Sequence, residues 1–336
     1  MKISFKTGIT IIVLIAFSFS SCMVDSRSES EFFAMDTVMT ITAYGDNSES
    51  SVKSAVEEIN RLDTLFSVQN QNSEIYKLNI NKYVHGSKET LELFNCAQMV
   101  NTMTNGAFDV TIEPLIREWG FYTGLEKQVP TQKKIETVLD SVGAEHIKID
   151  KETIVLDKDT SVDFGGIAKG YASKRAAQII KENGTSSALL SLGGNVRAVG
   201  KKPDGSEWSI AIANPDDNSK QAGVLNVIDT AVVTSGGYQR CFKYNGKNYH
   251  HIIDPHTGYP ADSGLKSVSV VSQDDCLADA LSTALFVMGL DNSAVLYTEN
   301  STLFGAVFIT DENEIYVTDN LEKSFFSDYD FKVIKK

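Results

Sequence analysis

The segment Ser161–Ala177, which reads SVDFGGIAKGYASKRAA, constrains the fold more than any other part of the chain. Its first four residues are apolar enough to predict the end of a strand that delivers the Asp163 carboxylate. Gly165 and Gly166 follow, and a glycine pair lets the backbone approach a neighbour closely or adopt a positive φ at little cost. Apolar residues then recur at helical spacing over Ile167–Lys181. The segment therefore predicts a strand, a glycine turn and a helix in direct succession.

A helix that starts at a glycine turn presents free backbone N–H groups and the positive end of its dipole, which suits a phosphate group. Lys169, just inside the predicted helix, adds a positive charge. A plain strand-to-helix connection with a solvated lysine is the alternative, because glycine-pair turns are common. This segment alone leaves both interpretations open.

The N-terminal residues have the pattern of a targeting segment. Lysines precede the apolar run Ile9–Phe19, which has the length of a signal peptide and is too short for a comfortable membrane span. Serines then precede Cys22, an arrangement that resembles a bacterial lipoprotein signal, in which the cysteine is lipidated. An ordinary secretory signal and an uncleaved anchor are the alternatives. The predicted division is a signal peptide over 1–21, a polar tether over 22–31 and one domain over 32–336.

Composition excludes some classes of protein. The formal net charge is −13, and no basic patch with interleaved aromatic residues occurs, so a nucleic-acid partner is not expected. Beyond the signal the cysteines are Cys96, Cys241 and Cys276, an odd number without a CxxC pair. Neither a disulfide framework nor a zinc site is therefore predicted.

Helices and strands are mixed along the chain without a regular βαβ alternation, so the predicted class is α+β. Besides the central helix, helices are predicted over Ser51–Phe66, Ser87–Thr104, Pro130–Val142 and Cys276–Met288, the last ended by Gly289. Strands are predicted over Phe32–Tyr44, Ala188–Leu192, Trp208–Ala213, Val224–Ile228, Ala231–Thr234, Ser267–Val271 and Leu303–Ile309. Asn245-Gly246 predicts a tight hairpin turn.

Polar residues on the last long helix suggest a cation site. Asp279 and Thr283 are spaced i and i+4, hence on one helix face, among small residues that permit close approach. A carboxylate and a hydroxyl, joined by backbone carbonyls, are ligands of the type that Mg²⁺ prefers. The alternative is that both side chains face water. His250 and His251 are adjacent, so on a strand they point to opposite faces and at most one serves a given site.

These pieces stand in the order of a known family. The motifs are Asp163-Phe164-Gly165-Gly166-Ile167-Ala168-Lys169-Gly170, Leu192-Gly193-Gly194-Asn195, Thr234-Ser235-Gly236, His251-Ile252-Ile253-Asp254-Pro255 with Thr257-Gly258-Tyr259-Pro260, and Ala278–Ala284. Together they resemble the ApbE family, the FAD:protein FMN transferases. The resemblance runs from about Met35 to the C-terminus and implies an ApbE-like α+β fold with mixed sheets and flanking helices.

The resemblance implies an activity and a location. The activity is Mg²⁺-dependent transfer of FMN from the substrate FAD to a threonine hydroxyl of an acceptor protein, with release of AMP. The implied acceptors are subunits of Na⁺-translocating NADH:quinone reductase or of Rnf-type complexes. Family members are commonly periplasmic lipoproteins, which agrees with Cys22 and implies a lipid anchor on the periplasmic side of a bacterial membrane.

The resemblance also assigns roles to residues of this chain. FAD contacts fall on Met35, Ala107, Phe108, Asp109, Asp163, Lys169, Ser235, His251 and Ile253. Mg²⁺ ligands fall on the Gly166 carbonyl, Asp279 and Thr283, and the catalytic residues are His251, as the general base, and Asp279. Activity is expected to fall as His251 becomes protonated. Gln69 stands where family members often carry an aromatic residue.

Other functions remain open at this level. The same metal site with water in place of threonine would make an FAD pyrophosphatase that yields FMN and AMP. A flavin-binding lipoprotein without chemistry is a third interpretation. Asp279, Thr283 and His251 argue against it, because a pure binding protein needs neither a metal nor a base.

Overall fold

The computed structural model describes residues 26–238 and 240–336. The expected signal peptide over 1–21 and the expected lipidation site Cys22 lie outside the described residues. Within them the fold is α+β. Its helices are α1 (Ser48–Phe66), α2 (Glu74–Asn81), α3 (Lys88–Met103), α4 (Glu113–Glu118), α5 (Gln132–Leu139), α6 (Ala168–Glu182) and α7 (Asp275–Asn300).

A nine-stranded sheet organises the domain. In spatial order its strands are β1 (Arg27–Ala34), β2 (Thr37–Tyr44), β6 (Ser187–Leu192), β7 (Asn195–Val199), β10 (Ala231–Gly236), β13 (Leu265–Ser272), β14 (Gly305–Thr310), β15 (Ile315–Thr318) and β17 (Phe331–Ile334). Neighbours pair antiparallel except β15 and β17, which are parallel. The smaller sheets are β3 (Tyr83–His85), β5 (Thr153–Leu156) and β4 (Ile147–Asp150); β16 (Phe325–Phe326), β9 (Asp217–Val227) and β8 (Trp208–Asn214); and the hairpin β11 (Cys241–Tyr244) and β12 (Lys247–His250).

Both faces of the large sheet are covered. Helices α1, α6 and α7 pack on one face and form the largest core, whereas the sheet of β8, β9 and β16 closes the other. Strand β13 shows the consequence, since Val268 and Val270 lie in the first core and Val271 in the second. A central strand buried on both faces reads as a continuous apolar run. A third, smaller core contains Leu115, Trp119, Ile135 and Ile253.

The structure corrects the start of the domain. The predicted single strand Phe32–Tyr44 is a hairpin of β1 and β2, turned by Met35 (φ 49°) and Asp36 (φ 58°). Arg27–Glu31, predicted as tether, belongs to β1 and pairs with β2. Strand β1 lies at the edge of the sheet with alternate residues exposed, so it carries polar residues and resembles a linker in composition.

Two further boundaries differ from the sequence prediction. The residues before the glycine turn are not a strand, because the Val162 backbone pairs with the side chain of Asn79 at 2.8 Å in both directions. Gly289 (φ 76°) does interrupt the last helix, but α7 resumes beyond it because Leu296 and Tyr297 are buried. Helix α7 is apolar and long enough to cross a membrane by composition, yet it packs against α6 and β13 as a core helix.

A buried ion pair joins the elements that carry the site. Arg197 on β7 donates to Asp275 at the start of α7 at 2.9 Å, and the Ser173 hydroxyl on α6 donates to the same carboxylate at 2.6 Å. Burial raises the pKa of Asp275, against the lowering effect of Arg197. The pair therefore sets the position of α7 relative to α6 and the sheet.

We expect Arg197→Met to lower the free energy of unfolding by about 3–5 kcal/mol, because it leaves the Asp275 carboxylate buried without its cation. Urea denaturation of the parent and variant measures the loss. Lys181→Met is the matched control, since Lys181 pairs with Asp229 where both side chains are more than 40% exposed, and it should cost about 0–1 kcal/mol. Equal losses in the two variants would contradict the structural role of the buried pair.

Candidate active site

The turns that carry the sequence motifs meet at one end of the large sheet. A Cβ atom on Gly193 would lie 2.4 Å from the Thr37 side chain, so the β6–β7 turn touches the start of β2. The Thr234 amide donates to the Gly194 carbonyl at 3.3 Å, which brings the end of β10 to the same place. Motifs far apart in the sequence thus form one surface.

Helix α6 begins at this surface, and a side chain of α7 accepts a hydrogen bond from a backbone amide in the first turn of α6. The N-cap residue Ile167 makes no capping hydrogen bond with its side chain. Instead, the Asp279 carboxylate accepts a hydrogen bond from the backbone N–H of Gly170 in the first turn of α6, at 2.8 Å. Gly170 has to be glycine, since a Cβ atom there would lie 2.3 Å from the Asp275 carbonyl oxygen. The Asp279 carboxylate therefore lies at the positive end of α6, and it is buried.

Hydroxyl groups of β10 and α7 cluster beside the glycine turn. The Ser235 hydroxyl lies 2.8 Å from that of Ser282 and 3.4 Å from that of Thr283. A Cβ atom on Gly166 would lie 3.6 Å from the Thr283 hydroxyl oxygen, so the glycine turn borders the same space. Asp279 and Thr283 thus lie one turn apart on α7 near Gly166 and Ser235, and the oxygen atoms of Asp279, Thr283 and the Gly166 carbonyl are hard donors of the kind that suits Mg²⁺. Among the described residues no group of three or more His, Cys, Asp or Glu side chains is placed to hold a metal ion.

Asp163 and Lys169 flank the glycine turn. The Asp163 carboxylate accepts the Gly165 amide and the Tyr122 hydroxyl, the latter at 2.5 Å. Burial, together with the charges of Asp163 and Glu113, raises the pKa of Tyr122 well above its usual value, so its hydroxyl stays a donor. The Lys169 ammonium donates to the Gly165 carbonyl at 3.1 Å. Tyr122 lies in the loop between α4 and α5, where no motif in the sequence indicates a functional residue.

Gln69 helps to hold the loop that carries Tyr122. Its side-chain amide donates to the Thr123 carbonyl at 2.9 Å. The residue that replaces an expected aromatic side chain therefore makes a polar link between the α1–α2 loop and the Tyr122 loop. The neighbouring Phe121 ring lies 6.4 Å from the His251 ring, so this loop spans from Asp163 towards the histidine.

His251 follows directly after β12, and its backbone N–H donates to the backbone carbonyl of Arg240 at 3.0 Å. Burial, with the positive charges of Arg240 and Lys169, lowers the pKa of His251 to about 3. The imidazole is therefore neutral at physiological pH and able to accept a proton. Its Nδ1 atom is buried and has no hydrogen-bond partner among the described residues.

His250 has a different environment. Its Nε2 atom lies 3.0 Å from the Ala261 carbonyl oxygen, and its ring packs edge-on against Phe286 with centroids 5.4 Å apart. Burial lowers the pKa of His250 as well. Because these contacts join the β12 end to a loop and to α7, they give His250 a structural role.

The remaining predicted FAD-contact residues lie in two environments. The Phe108 ring lies against the glycine turn, 3.1 Å from where a Cβ on Gly166 would stand, and Ala107 beside it is buried. The Asp109 carboxylate accepts the amide and hydroxyl of Thr111, so it caps a short helix, and burial raises its pKa. The buried side chain of Ile253 belongs to the third core, and Met35 occupies the β1–β2 turn and packs against the first core.

The chain is similar to known proteins over most of its length. The model of the ApbE family matches residues 35–308. A FAD:protein FMN transferase of Haemophilus influenzae is 31% identical over 286 residues, with 81% of each chain covered. One of Treponema pallidum is 31% identical over 303 residues, with 82% of this chain and 81% of the relative covered. The ApbE protein of Thermotoga maritima superposes with a TM-score of 0.83 at 32% identity, with 89% of this chain and 99% of the other covered.

Proposed function

The chain belongs to the ApbE family, and from this premise we propose that it is a Mg²⁺-dependent FAD:protein FMN transferase. The family and the α+β fold expected from the motifs are thereby confirmed. The proposed reaction transfers FMN from FAD to a threonine hydroxyl of an acceptor protein and releases AMP. The observation that carries the proposal is the Asp279 carboxylate at the first turn of α6, beside Thr283 and Gly166.

Oxygen donors of this chain fit the metal that the proposal requires. Asp279, Thr283 and the Gly166 carbonyl would hold Mg²⁺, which when bound would neutralise negative charge on the pyrophosphate of FAD. The N-terminus of α6 and the Lys169 ammonium add positive potential at the glycine turn, where phosphate groups would lie. Asp163 is oriented by the Gly165 amide and Tyr122 on the same turn.

His251 is proposed as the general base. Its neutral ring would accept the proton of the acceptor hydroxyl as the hydroxyl oxygen bonds to the phosphorus of the FMN half. The bond from that phosphorus to the bridging oxygen breaks, and AMP leaves with the electron pair. The Phe121 ring lies edge-on to the His251 ring, with the centroids 6.4 Å apart.

One experiment separates the proposed function from its alternatives. The protein is incubated with FAD and Mg²⁺, with and without an acceptor domain, and both AMP and protein-bound flavin fluorescence are measured. AMP together with a fluorescent acceptor supports the transferase. AMP without acceptor labelling would instead identify an FAD pyrophosphatase, and the absence of AMP would identify a flavin-binding protein.

The proposed acceptors are subunits of Na⁺-translocating NADH:quinone reductase or of Rnf-type complexes. They are inferred from the family resemblance, not from a surface of this chain. Mass spectrometry for covalent FMN on the proteins of the same cell identifies the acceptor directly. We expect the covalent FMN on the acceptor to disappear when the gene for this chain is deleted.

A lipid anchor at Cys22 is proposed from the N-terminal pattern, and it would place the domain on the periplasmic side of the membrane. Strand β1 begins at Arg27, so only residues 23–26 would separate the lipid from the folded domain. We expect Cys22→Ala to release the protein from the membrane fraction or to stall its processing. A stable anchor requires more than one acyl chain, which a lipoprotein cysteine carries. Fractionation and intact mass test this, and unchanged values for both would reject the anchor.

A further inference from the structure

An exposed arginine lies where the turns that carry the motifs meet. Arg240 lies in the short segment between β10 and β11, and its guanidinium donates to the backbone carbonyl of Asp36 at 2.9 Å. Asp36 belongs to the β1–β2 turn, and the next residue, Thr37, touches the β6–β7 turn at Gly193. The arginine side chain therefore reaches from the end of β10 to the turn that contains Met35, one of the expected FAD contacts.

The same residue also contacts the proposed general base through its backbone. The Arg240 carbonyl accepts the backbone N–H of His251 at 3.0 Å. Burial lowers the pKa of His251, and the positive charges of Arg240 and Lys169 lower it further. Two separate segments of the chain, the glycine turn with its helix and the segment after β10, therefore each bring a cation towards the same site.

Most of the hydrogen-bonding capacity of Arg240 is unused. A guanidinium has five N–H donors, and within the part of the chain that the structure describes Arg240 bonds to one neutral carbonyl and to no carboxylate. Its side chain is exposed, in a chain whose net charge is −13. The other arginines each pair with a carboxylate, and they are Arg27, Arg61, Arg117, Arg175 and Arg197. Arg240 is therefore available to an anionic ligand.

We propose that Arg240 binds the pyrophosphate of FAD, with its guanidinium donating hydrogen bonds to the phosphate oxygens. The inference rests on the proposed function for the identity of the ligand, and it adds a third positive group to the Lys169 ammonium and the N-terminus of α6. Arginine presents two parallel N–H donors that match the geometry of phosphate oxygens, which a lysine ammonium does not provide. Because the Arg240 carbonyl holds the backbone of His251, a phosphate bound by Arg240 lies near the proposed base.

A structural role alone is the alternative for Arg240. Its hydrogen bond to the Asp36 carbonyl ties the segment after β10 to the β1–β2 turn. Such a tie would position both segments without any contact between the arginine and the substrate. The two roles predict different results, because a loosened turn would affect every ligand that the site binds. A lost phosphate contact would affect only the ligands that carry a phosphate.

The test compares a flavin that carries the pyrophosphate with one that lacks it. The parent protein and Arg240→Met are titrated by calorimetry with FAD and with riboflavin, in EDTA so that no metal-dependent turnover occurs. The Kd of Arg240→Met for FAD should rise by about 10- to 100-fold, the usual effect of losing a hydrogen bond to a charged group. Its Kd for riboflavin should not change. Arg240→Lys, which keeps the charge but not the paired donors, should give an intermediate Kd for FAD.

Lys243→Met is the matched control, because Lys243 is exposed on β11 and its replacement changes the net charge equally. It should keep the parent Kd for FAD, and both methionine variants should keep nearly the parent Tm. An unchanged Kd for FAD in Arg240→Met, or equal losses of FAD and riboflavin binding, would overturn the proposal. Failure of the proposed function is a separate result, in which FAD binding depends on Arg240 but the parent protein forms neither AMP nor labelled acceptor.

Discussion

Replacing Asp279 by alanine should abolish FMN transfer while FAD binding survives in part. The carboxylate is the one acidic group in the proposed metal site, and it also accepts the Gly170 amide at the start of α6. Without this charge the transition state loses several kcal/mol of stabilisation. A loss of about 4 kcal/mol corresponds to about a 10³-fold slower reaction. The rate of AMP release with FAD and Mg²⁺ measures the effect, and calorimetry with FAD measures the residual binding.

Asp279→Asn is the matched variant for this experiment. The asparagine side chain is able to accept the Gly170 amide as the carboxylate does, but it carries no charge for a metal. We therefore expect Asp279→Asn to keep the parent Tm and to lose activity as fully as Asp279→Ala. Near-parent activity of Asp279→Asn, or full turnover of the parent enzyme in EDTA, would reject the metal role.

Replacing His251 by alanine should lower the transfer rate by about 10²–10⁴, the usual contribution of a general base. FAD affinity should change little, because the base acts on the acceptor hydroxyl. The rate is to be followed as fluorescent acceptor formed, at saturating FAD. His250→Ala should affect the rate much less and the Tm more, since His250 contacts the Ala261 carbonyl and the Phe286 ring.

The pH profile of the same variants tests the environment of His251. Burial first, and then the nearby positive charges, bring its pKa to about 3, so its protonation should not limit activity near the ordinary histidine pKa of about 6.5. The unfolded chain does bind a proton near that value. Stability contributed by the neutral ring is therefore complete above about pH 6.5 and declines as the pH falls towards 3. Denaturation between pH 8 and about pH 5 should show a shallower decline for His251→Gln than for the parent.

Two results would assign His251 another role. If His251→Ala transfers FMN at nearly the parent rate, the base has to be sought among Asp163 on the glycine turn and the groups of the acceptor protein itself. If FAD affinity falls in parallel with the rate, His251 holds the substrate. A loss of activity at acidic pH with a midpoint near pH 6.5 in the parent, absent in His251→Gln, would contradict the low pKa of His251.

Local patterns in the sequence were sufficient for many elements. Ser87 and Thr131 accept backbone amides as N-caps at the predicted helix starts. Asn245 and Gly246 adopt the positive φ angles that the hairpin turn requires. The order of the motifs identified the family. These predictions depend on interactions between residues close in the chain, or on a motif order that is itself a property of sequence.

Contacts between distant residues were decided by the tertiary structure alone. Tyr122 reaches Asp163 across 41 residues, Gln69 reaches Thr123 across 54, and Gly170 reaches Asp279 across 109. The polar residues Arg27–Glu31 form part of β1 because their backbone pairs with β2. No local rule of spacing or propensity specifies such partners, because their energy appears only when helices and sheets pack. Sequence patterns specify the family, the glycine turn and the chemical types of the side chains, whereas packing selects the distant groups that orient those side chains.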